Sequence, residues 1–301
     1  MDVMTVRYAV LMKVHYWDDF VERRLRHLLG KVRSGDVYVF VDETHGAVGQ
    51  IAHDRVIRAT EHDVERLGVV SHPPGKVFWF NADYPLYLFY LGNRSYDFYL
   101  MCEYDAVLNI DLDEFMRIAE RDRVDYVGFP LPDTFSKWPW ANTCGDVYSD
   151  SFVLHNWLNA ISLHSRRSIE FLLQRRQALT RDYNTGSITN WPYAEGFIST
   201  EMLNNGFVAR QLGDFGKVEK YNWWPPTREK DLPSSQDQGF LHPVLDEQKY
   251  QASLLKYGRL QSYVSRDAWL RRALERSMPS FMIEIMRRFW RRLRLLLIFD
   301  T

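Results

Sequence analysis

Tyr96–Cys102, YDFYLMC, runs without a break into Glu103-Tyr104-Asp105. Seven residues dominated by aromatic and apolar side chains are too few for a buried helix and rich in types that favour a pleated surface, so they predict a strand. The run does not alternate apolar with polar, the pattern of a strand covered on both faces. It ends in an acid-x-acid triplet, which the strand would deliver to its carboxyl edge.

Further strands and helices alternate around it. Val6–Met12 reads as a first strand, Trp17–Leu29 as a helix with Asp18 and Asp19 near its start, and Asp36–Asp42 (DVYVFVD) as a second strand closed by Asp42-Glu43. Asp54–Ala59, Asp125–Phe129 and Ala160–Leu163 are strand-like. Glu61–Leu67, Asn81–Leu91 and Ser165–Ala178 are helix-like, and Ser165 is a candidate cap for the last. Strands alternating with helices predict an α/β fold, a mostly parallel sheet flanked by helices. Such sheets bind ligands at the carboxyl ends of their strands, where both acidic clusters fall. Pro130–Asn156 and Asn222–Gln238 read as long loops, which inside a compact domain tend to be functional.

The whole-chain numbers exclude little but point the same way. In 301 residues, 46% hydrophobic and 15% aromatic, there is ample material for a core, and a net charge of −1 gives no footprint for nucleic acid. The two cysteines, Cys102 and Cys144, have no metal-type spacing, and Cys102 in its apolar run reads as a buried thiol in a reducing compartment. No signal-peptide pattern and no apolar stretch long enough to span a bilayer occurs. A cytoplasmic protein is the expectation.

A carboxylate pair at a strand end can hold Mg²⁺ or Mn²⁺ against the oxygens of a diphosphate. The bare triplet has an ordinary reading too, as solvated loop acids. Asp42-Glu43 carries less still, since a helix cap or a plain loop explains it.

YDFYLMCEYDAVLNIDLDEFM resembles the central segment of GT-A glycosyltransferases, and within them the branching β-1,6-N-acetylglucosaminyltransferase family. Asp105 stands where that family has an Asp after an apolar strand, and Leu112-Asp113-Glu114 is similar to its following helix start. Glu103 stands where the family has a small residue. Members of the family work without a metal, so the added carboxylate leaves metal dependence open, with Glu103 and Asp105 as the ligands if Mn²⁺ or Mg²⁺ is used. Ala194–Thr200 (AEGFIST) resembles the segment that carries the family's catalytic base, and Glu195 is the matching residue. An inverting transfer needs such a carboxylate to deprotonate the acceptor hydroxyl. Ser199 or Thr200 is expected to cap a short helix over Glu201–Asn205, with Glu201 in its first turn against the helix dipole. The resemblance covers about residues 5–215 in element order, with only these two segments matching in sequence. It implies a Rossmann-like GT-A domain, a nucleotide-sugar donor and a glycan acceptor.

Other donor-site candidates rest on the same resemblance. Asp42 or Glu43 would lie near the base or ribose, Arg166 or Arg167 would meet phosphate, and His242 would sit on the metal or diphosphate from a closing loop. Each has a plain alternative: a solvated helix face for the two Arg, a turn histidine before Pro243 for His242. Arg228 and Lys249 are weaker phosphate candidates. Trp138/Trp140 and Trp223/Trp224 are equally well read as sugar-stacking or as buried under loops.

From Arg266 onward nine Arg face four acidic residues. Phe281–Phe299 places Met282, Ile285, Met286, Phe289, Leu293 and Leu296 on one helical face and Arg287, Arg288, Arg291 and Arg294 on another. That pattern suits a helix on an anionic membrane surface, or one docked on protein. The expected organisation is a GT-A-like domain over residues 1–250 and an amphipathic helical tail over 251–301. The tail would hold the protein peripherally on the inner face of the plasma membrane, where a bacterial polysaccharide or lipopolysaccharide precursor would be the lipid-linked acceptor. The rivals are a nucleotidyltransferase, disfavoured because MKVHYWDD after the first strand is not a Gly-rich phosphate loop, and a non-catalytic scaffold of a glycan-assembly complex.

Overall fold

The computed structural model describes residues 6–132 and 134–257, together with Arg272, Ala273, Arg276, Met282, Ile285 and Arg288. In chain order the elements are β1 (Tyr8–Val14), α1 (Asp19–Leu29), β2 (Asp36–Asp42), β3 (Val56–Ala59), α2 (Val77–Phe80), α3 (Tyr84–Gly92) and β4 (Phe98–Glu103). They continue with β5 (Val107–Leu108), α4 (Leu112–Arg121), β6 (Tyr126–Pro130), β7 (Trp157–Ser165), α5 (Arg166–Asn184), α6 (Ala194–Asn204) and β8 (Ala209–Gln211). Last come β9 (Lys220–Tyr221), β10 (Thr227–Arg228), β11 (Phe240–His242), β12 (Val244–Leu245) and α7 (Glu247–Tyr257). Two compact units result: one from the chain up to Asn222 plus Asp237–His242, the other from Trp223–Gln236 plus the described residues from Pro243 onward.

The first unit is built on a seven-stranded sheet in the order β3-β2-β1-β4-β7-β6-β8. Every neighbouring pair is parallel except β4–β7 and β7–β6, so β7 alone runs against the rest. The fold is therefore α/β with a mostly parallel sheet, as the strand–helix alternation predicts. All seven residues of β1 are buried, as are Phe98–Cys102 in β4, which explains their unbroken apolar runs.

Alternate residues of these strands feed two separate cores. Val10, Met12, Leu100 and Cys102 join one; Ala9, Leu11, Tyr99 and Met101 join the other. Because side chains alternate along a strand, the two cores lie on opposite faces of the sheet. Helices α1 and α4 cover the first face with Phe20, Val21, Leu25 and Leu28, and with Leu112, Phe115, Met116 and Ala119. Each starts at an aspartate cap: Asp18 accepts from the Val21 amide and Asp111 from that of Glu114. Helices α2, α3, α5 and α6 cover the other face. Ser165 caps α5 as its sequence suggests, accepting from the Ser168 amide at 3.2 Å.

Three expectations need correction. The Glu61–Leu67 segment is a 3₁₀ rather than an α-helix. The strand expected over Ala160–Leu163 is the longer β7, and it is antiparallel to its neighbours. The helix expected to begin at Glu201 begins at Ala194, so Ser199 and Thr200 are interior; the Ser199 hydroxyl donates to the Glu195 carbonyl instead of capping.

In the second unit β10 pairs in parallel with β12, and α7 follows. The proposed tail over 251–301 lies outside the described residues beyond Tyr257, apart from the six named above. No helix among the described residues is long and apolar enough to cross a membrane.

Candidate active site at the carboxyl edge of the sheet

The triplet Glu103-Tyr104-Asp105 leaves β4 at the carboxyl edge, and the next two residues of strand, β5, pair antiparallel with β11. Phe240 stands opposite Leu108 and Leu241 opposite Val107. One step further along β11, His242 arrives beside Asp105, held in a buried strand and not on a closing loop or in a turn. Its Nε2 lies 3.7 Å from Glu103 Oε2 and 3.7 Å from Asp105 Oδ1. Its Nδ1 is 2.7 Å from the Asn222 carbonyl. A carbonyl can only accept, so Nδ1 carries a proton and Nε2 is the nitrogen turned to the carboxylates. Tyr104, between the two acids, is clamped edge-on by His15, Tyr16 and Phe20.

Lys13 completes the cluster. It is the register partner of Glu103 across β1–β4, its ammonium 2.7 Å from Glu103 Oε1 and 3.2 Å from the Phe78 carbonyl. Burial works against charge on Glu103, but Lys13 and His242 outweigh it and hold this carboxyl well below the usual carboxylate range. Asp105 goes the other way: burial and the neighbouring Glu103 charge, only partly countered by His242, push it up to about 6. Its Oδ1 is buried without a hydrogen-bond donor. His242 loses by burial and gains more from the facing carboxylates, so its pKa is raised.

These three side chains fit a divalent cation. Their ligand atoms lie within 4.8 Å of one another, a spread that suits an ion bound at roughly 2.0–2.6 Å. A buried carboxylate oxygen lacking a donor, together with an imidazole fixed by its other nitrogen, is the arrangement such an ion needs.

Glu195 enters from α6, in the first turn after Tyr193. The Trp138 indole nitrogen donates to its Oε2 at 3.0 Å. Burial pushes Glu195 up to about 7; the Trp138 bond opposes this, and the Glu103 and His242 charges act on it with opposite signs. The Glu195 carboxyl thus feels the charges of the triad. Two residues set its position. Gly196 gives Trp138 room: a Cβ there would stand 2.9 Å from the indole ring and 3.1 Å from Cys144 Sγ. Arg176, wholly buried on α5, donates to the Pro192 carbonyl at 2.7 Å just ahead of α6, while Asp83 pairs with it at 2.8 and 3.2 Å. Glu201 is occupied by Arg175 through two bonds of 3.1 Å and is buried, in keeping with a structural role.

A cavity of about 310 Å³ opens at the ends of β1 and β2, lined by Lys13, His15, Asp42, His45, Lys76 and Trp79 among others. Asp42 lies on its wall, where it also accepts from the Thr44 amide at 2.9 Å. Glu43 is turned to the adjoining loop, holding the Val48 amide at 2.8 Å and Arg58. Arg166 is not brought here. Because β7 is antiparallel, Ser165 pairs with Phe98 at the amino end of β4, and Arg166 binds Asp97 and the Tyr96 carbonyl at the opposite edge of the sheet. Arg167 is bound by Asp125 at that same edge. Arg228 and Lys249 pair with Asp231 and Asp246, and Trp223 packs on Trp224 and Tyr257, all within the second unit.

Lys13, and Trp138 as the partner of Glu195, are the site residues that sequence reasoning missed. Lys13 had a signal: it is the single charge in the strand YAVLMKV, every residue of which is buried.

No family model and no curated protein sequence matches the chain. Among solved structures it is similar to mouse xyloside xylosyltransferase 1 in its apo form, at 9% identity over 79% of this chain and 97% of that one, with a TM-score of 0.41. It is also similar to a glycosyltransferase involved in the glycosylation of the major capsid of PBCV-1, at 10% identity over 82% and 98%, with a TM-score of 0.40.

Proposed function

We propose that this protein is a glycosyltransferase of the GT-A type, moving a sugar from a nucleotide-sugar donor to a glycan acceptor with inversion. The observation that supports the reading is a cation-fitting triad at the carboxyl edge of a mostly parallel sheet, with the Glu195 carboxyl near enough to feel its charges. Glu103, Asp105 and His242 would hold Mn²⁺ or Mg²⁺. Bound there, the cation would neutralise the charge that grows on the diphosphate as the sugar leaves. The adjoining cavity is of a size for a nucleotide, with Asp42 placed for base or ribose and Lys13, His45 and Lys76 for phosphate.

Glu195 is the general base in this scheme. Its carboxylate takes the proton of an acceptor hydroxyl; the hydroxyl oxygen bonds to the anomeric carbon as the bond from that carbon to the donor phosphate oxygen breaks, and the nucleotide leaves with the electron pair. The Arg-rich tail is proposed as a membrane contact and a lipid-linked glycan as the acceptor, on the strength of the charge pattern alone.

The test is thermal stabilisation by UDP-, GDP-, CMP- and dTDP-sugars with and without Mn²⁺, followed by turnover with the stabilising donor. At least one donor is expected to raise Tm, more so with Mn²⁺. Glu195→Gln should keep that shift and lose turnover at least a hundredfold. Failure of every donor to stabilise the protein overturns the reading, and unchanged turnover in Glu195→Gln overturns the assigned base.

A further inference from the structure

A cluster of three aromatic rings, one of them exposed, lies between the cavity and the start of α6. Phe80 stacks on Tyr193 with ring centres 4.1 Å apart and planes 26° from parallel. Trp140 meets both edge-on, 5.2 Å from Phe80 and 5.6 Å from Tyr193. Trp140 is 43% exposed, and Phe80 and Tyr193 are half-buried. Rings that only fill a core are covered; Trp140 is held in a fixed arrangement and still left partly open to solvent.

Their connections tie them to the chemistry. Phe80 also lines the cavity. Tyr193 is the residue from which α6 starts, two before Glu195. Trp140 follows by two the Trp138 that donates to Glu195. A molecule resting on this surface would therefore border the cavity at Phe80 and the start of α6, the helix that carries the proposed base, at Tyr193.

We propose that Trp140, with Phe80 and Tyr193 behind it, forms a stacking platform for the acceptor, and that the acceptor presents a pyranose ring to it. The inference rests on the glycosyltransferase reading and adds the part of the site that recognises the acceptor. A pyranose offers one face of aligned C–H bonds that lies flat on an aromatic ring, while its rim of hydroxyls stays free for a base. A large rigid ring gives that contact at low entropic cost, since only two side-chain torsions need to be held. The charged lining beside it, with Asp42, His45 and Lys76, suits a hydroxylated ligand and not a lipid tail.

The experiment follows tryptophan fluorescence during titration with methyl glycosides of glucose, galactose, mannose, xylose and N-acetylglucosamine. It uses the full chain, wild type, Trp140→Ala and Trp140→Phe, alongside the donor-induced Tm shift of each. At least one glycoside is expected to perturb the wild type, with affinity at least tenfold weaker in Trp140→Ala and largely restored in Trp140→Phe. The donor-induced shift should persist in all three, which also shows that the variants fold. If no glycoside binds, or binding is equal in Trp140→Ala, while a donor still stabilises the protein, the platform is overturned and the enzymatic reading stands. If glycosides bind by way of Trp140 and no donor does, the platform holds and the transferase reading falls. If Trp140→Ala instead abolishes binding to anionic phospholipid vesicles and leaves glycoside titrations unchanged, the surface is a membrane contact and the proposal is wrong.

Discussion

The indole nitrogen of Trp138 donates to Glu195 Oε2 across 3.0 Å, a bond made to the one carboxyl of the site that burial pushes up to about 7. The bond favours the charged carboxylate, so removing it raises the pKa further. Hydrogen bonds to charged groups contribute about 1.5–3 kcal/mol, and a shift of one pH unit corresponds to about 1.4 kcal/mol. Trp138→Phe should therefore move the acid limb of kcat/KM upward by about one to two units. Activity would fall at least about tenfold near pH 6.5 and recover toward wild type as pH rises to 9 and above. A loss that is equal at every pH would assign Trp138 to packing alone.

The same burial predicts a stability cost for the base. Glu195 in the folded protein, at about 7, lies above the ordinary value of 4.5. The folded state therefore holds the proton more tightly than the unfolded chain, and stability falls as pH rises between those two values. Glu195→Gln has no charge to bury. It should be more stable than wild type at pH 8, by at most about 3 kcal/mol, with the gap largely closed by pH 5. Urea denaturation at both pH values measures it, and a variant less stable than wild type at pH 8 contradicts the placement.

The triad predicts a pH-dependent cation affinity. A ligand carboxyl must be ionised to bind, and Asp105 is pushed up to about 6 by burial and Glu103. The Tm gain from Mn²⁺ should be large at pH 7.5 and weaken markedly at pH 5.5. Asp105→Asn and His242→Ala should each lower Mn²⁺ affinity at least tenfold at pH 7.5. An unchanged Mn²⁺ response in Asp105→Asn would show that the cation binds elsewhere.

Much of this site was legible because its parts sit at the ends of short apolar runs. β4 and its terminal carboxylates, and β2 ending in Asp42, follow from short apolar runs rich in β-branched and aromatic residues, which favour strands. His242 could be suspected, but its approach to Asp105 depends on β5 pairing with a strand far along the chain, which no local pattern encodes. Arg166, a phosphate candidate by resemblance alone, opens a helix after a strand. Strand direction decides which edge of a sheet a residue reaches, and β7 runs backward. The start of α6 was misread because Ser199 and Thr200 are good caps in isolation. The true start has Tyr193 with no side-chain cap, held through its Pro192 neighbour by Arg176. Arg176 itself lies on the apolar stripe of α5 with Ile169, Leu172, Leu173 and Leu179, and a charge on such a stripe is the sign of a buried partner.

That partner is Asp83, and breaking the pair should be costly. Arg176 is fully buried, paired at 2.8 and 3.2 Å, with its guanidinium 3.8 Å from the centre of the Phe197 ring on α6. Arg176→Met leaves Asp83 charged and alone in the core, a loss of about 3–5 kcal/mol. Adding Asp83→Asn should recover part of it. Chemical denaturation of the single and double variants checks this, and purely additive losses would mean that the two residues do not act as a pair.

Gly196 sets two effects of known size against each other. An alanine inside a helix is favoured over glycine by about 0.5–1 kcal/mol. Its methyl, however, would stand 2.9 Å from the Trp138 ring and 3.1 Å from Cys144 Sγ, both buried, and overpacking a filled core costs about 1–3 kcal/mol. The clash outweighs the propensity, so Gly196→Ala should lower stability by about 1–2 kcal/mol. Relief comes most easily by displacing the indole, because the helix backbone is fixed from both sides by Arg176 and by the Arg175–Glu201 pair. That displacement lengthens the bond to Glu195. The acid limb of kcat/KM in Gly196→Ala should then shift upward as in Trp138→Phe, and in Gly196→Ala/Trp138→Phe the two shifts should not add. Additive shifts would show that Gly196 acts on the base by some route other than the indole.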